Sequence, residues 1–158
     1  MTEKNDTKQL IDRLEATRNL SRDEWIRLIQ NRTADDADYL FERAQAVRTR
    51  HYGRSVYIRG LIEFTNYCKN DCFYCGIRKS NRNANRYRLT KEQILSCCEM
   101  GYALGFRTFV LQGGEDGSFT DDRLTDIISS IRTRWRACAI TLSVGERSYE
   151  SYRQLYDA

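Results

Sequence analysis

The sequence predicts an α/β fold in which three βα units form a parallel sheet (residues 53–158) behind an N-terminal helical segment (residues 1–52). Three observations predict it. Apolar, β-rich runs near positions 55–65, 106–111 and 138–144 alternate with stretches of helical period. No hairpin turn joins one run to the next, so parallel crossovers through helices are expected. The cysteine- and glycine-rich corners all follow the C-terminal ends of these runs, where parallel α/β folds carry their chemistry.

Composition narrows the class further. At 158 residues the chain is long enough for one domain with a real core. Its 26 basic and 22 acidic residues are interspersed, leaving a net charge of +4 and no concentrated basic face of the kind nucleic acid requires. No apolar run nears the roughly 20 residues of a membrane span. The opening MTEKNDTKQL is polar and mixed in charge, unlike a signal peptide. Six cysteines without an export signal point to a reducing, cytoplasmic setting, with thiols bound to metal or buried rather than paired.

The elements follow in order. Leu10, Ile11, Leu14 and Ala16 recur at helical spacing, and a capping box from Ser21 to Glu24 opens a second helix carrying Trp25, Ile26, Leu28 and Ile29. A third helix is expected over 34–49, with Ala37, Leu40, Phe41, Ala44 and Val47 on its packed face. Gly53 breaks that pattern, and His51 reads as an ordinary loop residue or a hydrogen-bonded one. The first strand is expected over 55–65. Its near-continuous apolar character suits a strand covered on both faces. The loop at 78–88 is rich in Arg, Lys and Asn, and reads either as a solvated loop or as an electropositive rim facing an anionic ligand or acidic partner. Thr90 and Gln93 form another capping box, for a helix through Ile94, Leu95, Cys98 and Tyr102 that ends near Gly105. The second strand is expected over 106–111. Thr120 or Asp121 caps a helix with Leu124, Ile127, Ile128 and Ile131, a third strand covers 138–144, and a final helix begins at Ser148.

The chemistry is concentrated in one stretch. Cys68, Cys72 and Cys75 fall within eight residues in the spacing C-x3-C-x2-C. Thiolates are soft ligands suited to zinc or iron–sulfur clusters. A structural zinc site closes a tetrahedron with four protein ligands. Here only three thiolates cluster, and the one histidine lies far upstream. A cubane held by three thiolates would leave one iron open to a substrate or cofactor. After the second strand, Gly113-Gly114 permits close backbone approach to a ligand and frees amide donors, although turns need glycine too. Thr141, Ser143 and Glu146 are expected on the same rim. Cys97 and Cys98, about 100° apart on a helix, and Cys138 read as buried inert thiols.

A cysteine triplet of this spacing after a first strand, with the aromatic Tyr74 before its third cysteine, resembles the radical S-adenosylmethionine (SAM) superfamily. The neighbouring words GLIEFTNYC, YCGIRKSN, RYRLT and LQGGED resemble its HydE subgroup, the iron-only hydrogenase maturases related to biotin synthase. The resemblance covers about positions 50–150.

It implies a TIM-barrel-type radical SAM core. A whole barrel needs about 250 residues, so only the first three-eighths are expected here, as a fragment or a split frame. The resemblance also implies a 4Fe–4S cluster on Cys68, Cys72 and Cys75, with Arg78 steadying their loop. SAM would have its adenine on Tyr74 and its amino group on Gly113, Gly114 and Glu115. Ser143 and Glu146 would contact SAM as well, with Gln112 and Thr141 toward the substrate. Reductive cleavage of SAM to a 5′-deoxyadenosyl radical would then serve assembly of the hydrogenase active-site cluster, on a small-molecule or organometallic substrate. The implied partners are an electron donor such as ferredoxin or flavodoxin and other maturation proteins. No residue is assigned a direct catalytic role. Three other readings stay open: a methylornithine synthase-like or biotin synthase-like enzyme, a zinc- or cluster-carrying module without catalysis, and an inactive remnant.

Overall fold

The computed structural model describes residues 3–158. The chain divides into two compact units, one ending at Val56 and the other running from Tyr57 to Ala158.

The first unit is helical: α1 (Glu3–Thr17), α2 (Arg22–Gln30) and α3 (Ala34–Tyr52). Capping boxes open α2 at Ser21/Glu24 and α3 at Thr33/Asp36, each satisfying backbone donors that a helix start leaves orphaned. Leu10, Ile11, Leu20 and Leu28 form a small core with Leu14, Tyr39 and Leu40 against it. The expected faces are only partly used. Trp25, Ile26, Ile29 and Phe41 are exposed, because so small a cluster cannot cover every apolar side chain on three helices. His51 belongs to the last turn of α3 rather than to a loop.

The second unit is β1 (Gly60–Thr65), α4 (Lys91–Ala103), β2 (Thr108–Gly113), α5 (Asp121–Arg134), β3 (Ala139–Ser143) and α6 (Tyr149–Asp157). The strands lie in the order β1-β2-β3, all parallel. Thr90, Thr120 and Ser148 cap the three helices. The main core joins Ile62 and Phe64 of β1 and Phe109 and Leu111 of β2 to Ile94, Leu95 and Cys98 of α4. It continues through Leu124, Ile127, Ile128 and Ile131 of α5. Phe64 and Phe119 meet edge to face, with ring centroids 4.5 Å apart.

Strand limits and cover depart from the expectation. β1 begins at Gly60, not near Ser55. Its ladder starts where β2 offers a partner, Gly60 opposite Phe109, and Val56, Tyr57 and Ile58 are exposed before it. β2 runs two residues further than expected, so Gln112 and Gly113 are ladder residues. The sheet is covered on one face only. Leu61 and Glu63 alternate outward while Ile62 and Phe64 alternate inward, which corrects the expectation of two covered faces.

Candidate functional site

Parallel pairing brings the ends of all three strands to one rim. Glu63 stands opposite Gln112, and Gln112 opposite Ser143; one step of the pleat below, Leu61, Val110 and Thr141 are aligned. Partners in register share a face. Gln112, Thr141 and Ser143 therefore lie together on the uncovered face of the sheet, all exposed. Gln112 and Gly113 also line a cleft with Glu63, Thr65, Asn66 and Ile77, against the start of the cysteine loop.

The loop after β1 carries Cys68 and Cys75 half-buried and Cys72 exposed, all as free thiols. Its shape is specified by hydrogen bonds rather than by packing. The Cys75 amide donates to the Cys72 carbonyl at 3.0 Å, closing a tight turn between two of the thiols. Lys79 N–H donates to Asn70 O at 2.9 Å, and Ser80 N–H to Asp71 Oδ1 at 3.0 Å. Arg78 donates to the Cys75 carbonyl at 3.1 Å. The strongest tie comes from Arg86. Its guanidinium donates to the carbonyls of Ile77 (2.9 Å), Arg78 (2.7 Å), Asn81 (3.1 Å) and Asn66. A planar fork of five donors suits such a cluster of carbonyls better than the point charge of a lysine would. Phe73 and Tyr74 project into solvent, Tyr74 at 93% exposure.

Among the described residues, no three His, Cys, Asp or Glu side chains gather as ligands of a metal ion would. A single zinc needs its donors converging on one point. A cubane presents a different iron to each thiolate, so its ligands stand further apart than those of a single ion. The donor set, three uncommitted thiols on a hydrogen-bonded loop, suits such a cluster in kind and number.

The glycine pair at the end of β2 approaches the cysteine loop itself. A Cβ on Gly114 would lie 2.2 Å from Tyr67 O and 2.8 Å from Cys68 Cβ, and one on Gly113 would lie 2.6 Å from Thr65 Cγ2. The Gly114 amide points to Thr65 O at 3.4 Å, so it is not a free donor. The glycines here let two βα loops touch beside Cys68.

Two carboxylates follow. Glu115 takes Lys69 Nζ at 2.9 Å and Asn70 Nδ2 at 2.6 Å, both from the cysteine loop. The Lys69 ammonium holds the Glu115 carboxyl below the usual range despite partial burial; Asn70 and the Glu146 amide add to it. Asp116 is buried and accepts from Arg88 Nε (2.6 Å) and Nη2 (3.0 Å), Thr65 Oγ1 (2.8 Å) and Ser118 N–H (3.0 Å). Burial pushes its carboxyl up, but the Arg88, Ser118 and Thr65 donors outweigh that and bring it to about 2. Arg88 in turn lies 3.7 Å over the Tyr67 ring, beside Cys68.

Sequence reasoning missed these anchors. Arg86 and Arg88 read as a solvated loop or an electropositive rim, and the structure turns both inward onto carbonyls and a carboxylate. Lys69, Asn70 and Asp116 carried no motif of their own. The alternation of Arg86-Tyr87-Arg88 was the one available signal, since it puts both arginines on one side of an extended segment. Glu146 is exposed and shares a cleft with Lys69 and Glu115. Cys98 and Cys138 are buried and Cys97 half-buried. Burial, with Cys97 and Cys138 nearby, pushes the Cys98 thiol up to about 12, so it is inert at neutral pH.

No protein-family model matches the chain. Its relatives do define a class: the chain belongs to the radical SAM family, whose enzymes use a 4Fe–4S cluster and S-adenosylmethionine. Among them it is similar to the FeFe hydrogenase maturase subunit HydE of Thermotoga maritima, at 40% identity over 119 residues, 75% of this chain and 34% of the relative. It is also similar to 3-methylornithine synthase of Methanosarcina acetivorans, at 30% identity over 115 residues, 72% of this chain and 33% of that one. The fold matches a crystal structure of HydG, a maturase of the FeFe-hydrogenase, with a TM-score of 0.83 at 23% identity. That match covers 97% of this chain and 35% of that one. The chain thus spans about a third of the length of the curated relatives it matches. Among the described residues no helix is long and apolar enough to cross a membrane.

Proposed function

We propose that this chain forms the cluster-binding part of a radical SAM enzyme that works in assembly of the hydrogenase active-site cluster. One observation carries the reading: three free cysteines in the spacing C-x3-C-x2-C stand on a braced loop at the C-terminal end of β1, and the first of them, Cys68, meets Gly114 at the end of β2. Cys68, Cys72 and Cys75 would hold the 4Fe–4S cluster. A cluster and SAM bound there would together supply the one-electron chemistry that yields a 5′-deoxyadenosyl radical.

The chain's own residues do the positioning. Arg86 and Arg78 set the loop before any cofactor arrives. The Gly113-Gly114-Glu115 backbone would hold the amino group of SAM and Tyr74 its adenine, and Ser143 and Glu146 would contact SAM as well. Gln112 and Thr141, on the uncovered face of the sheet, reach toward a small-molecule or organometallic substrate. The electron would come from a donor such as ferredoxin or flavodoxin, and the work would be done in the cytoplasm beside other maturation proteins. The 40% identity with HydE favours this substrate class. The 30% identity with 3-methylornithine synthase supports a second reading, in which the same site acts on a different small molecule.

The test is anaerobic reconstitution followed by SAM and dithionite, on this chain and on one extended to the length of its relatives. The expected result is release of 5′-deoxyadenosine and methionine by the extended protein. Iron uptake without SAM cleavage in either protein would refute the enzymatic reading. Binding of zinc in place of iron would refute the cluster.

A further inference from the structure

The Glu115 side chain faces the cysteine loop and the loop after β3, and its polar contacts within them are already made. Lys69 and Asn70, two consecutive residues between Cys68 and Cys72, donate to its carboxylate at 2.9 and 2.6 Å. The Lys69 amide donates to the Glu115 carbonyl at 3.0 Å, so backbone and side chain of one residue both grip the same loop. On the opposite side lies the loop after β3. Gly145, at φ +81°, passes so close that a Cβ there would stand 1.8 Å from Glu115 Cγ and 2.6 Å from its Cδ. Loops after all three strands therefore meet at this residue.

We infer that Glu115 is a positioning residue: its side chain clamps the cysteine loop to the loop after β3 and sets the spacing of the thiols, leaving ligand contact to the backbone of its segment. The consequence for cluster retention rests on the function proposed above; the clamp itself does not. A carboxylate that served only to meet the amino group of SAM would have no effect on the cofactor-free protein. A clamp has its effect there.

The experiment is hydrogen exchange on the metal-free chain, comparing wild type with E115A, N70A and N70A/E115A. Loss of a charge-assisted bond predicts exchange at residues 66–76 about tenfold faster or more in E115A. N70A should reproduce much of that change, and the double variant should go little beyond E115A, as coupled partners do. After reconstitution, E115A should release iron to a chelator several-fold faster than wild type. Should E115A fail to fold, N70A and K69M decide the matter, since Lys69 is largely exposed and Asn70 is only half-buried. Unchanged exchange at residues 66–76, or strictly additive effects of N70A and E115A, would overturn the clamp. Wild type that takes up no iron would overturn the cluster reading and leave the exchange result to judge the clamp alone.

Discussion

Single residues carry the shape of this site through pairings far apart in the chain. Asp116 is the most committed: buried, held by Arg88 in a two-pronged pair, and drawn down to about 2 from an ordinary 3.8. A carboxyl depressed in the folded state contributes stability that is present above its unfolded pKa and lost as pH falls through its folded one. The contribution should therefore be complete above about pH 4 and vanish toward pH 2. D116N should lower the unfolding free energy of the metal-free protein by about 2 kcal/mol at pH 7, with the gap to wild type closing between pH 4 and 2. Denaturant titrations at several pH values read this directly. A gap that stays constant across that range would remove the ion pair from the account. Arg88 couples the effect to the thiols, since it also lies over Tyr67, the residue before Cys68.

Elements explain how far the chain could be read in advance. Helix starts were legible because capping is local: Ser21 with Glu24 and Thr90 with Gln93 each close a box within three residues. The core stripe of α5 was legible for the same reason, and Leu124, Ile127, Ile128 and Ile131 are all buried. Strand ends were not, because a strand begins where its neighbour does; β1 waits until Gly60 to meet Phe109. In the candidate site the cysteine triplet and glycine pair stood out as spacings. Their braces did not: Arg88 reaches Asp116 across 28 positions and Asn70 reaches Glu115 across 45. Nothing local marks such pairs. Gly114 likewise makes room for a neighbouring loop, which no local spacing announces. A methyl group there would meet backbone at Tyr67, which cannot swing aside as a side-chain end can. G114A should cost roughly 1–3 kcal/mol in the metal-free protein. It should also impair iron uptake. Thermal unfolding and iron analysis check both, and normal values for each would show that the two loops need not touch.

At the scale of the whole molecule, a three-stranded parallel sheet with one covered face presents a row of strand ends with chemistry at each. β1 ends in the cysteines, β2 in Gln112 and the glycine pair, and β3 in Ser143, Gly145 and Glu146. The fold match to HydG extends over 97% of this chain, so the helical unit and the sheet unit both have counterparts in that structure. What distinguishes one radical SAM chemistry from another is the substrate, and Gln112 and Thr141, exposed on the uncovered face of the sheet, are the side chains we propose meet it. The account rests first on the thiols. The most direct measurement is iron and sulfide per chain after anaerobic reconstitution, in wild type and in C68S/C72S/C75S shown by circular dichroism to be folded. About four of each in wild type and almost none in the triple variant is the predicted result. An equally iron-rich serine variant would contradict it.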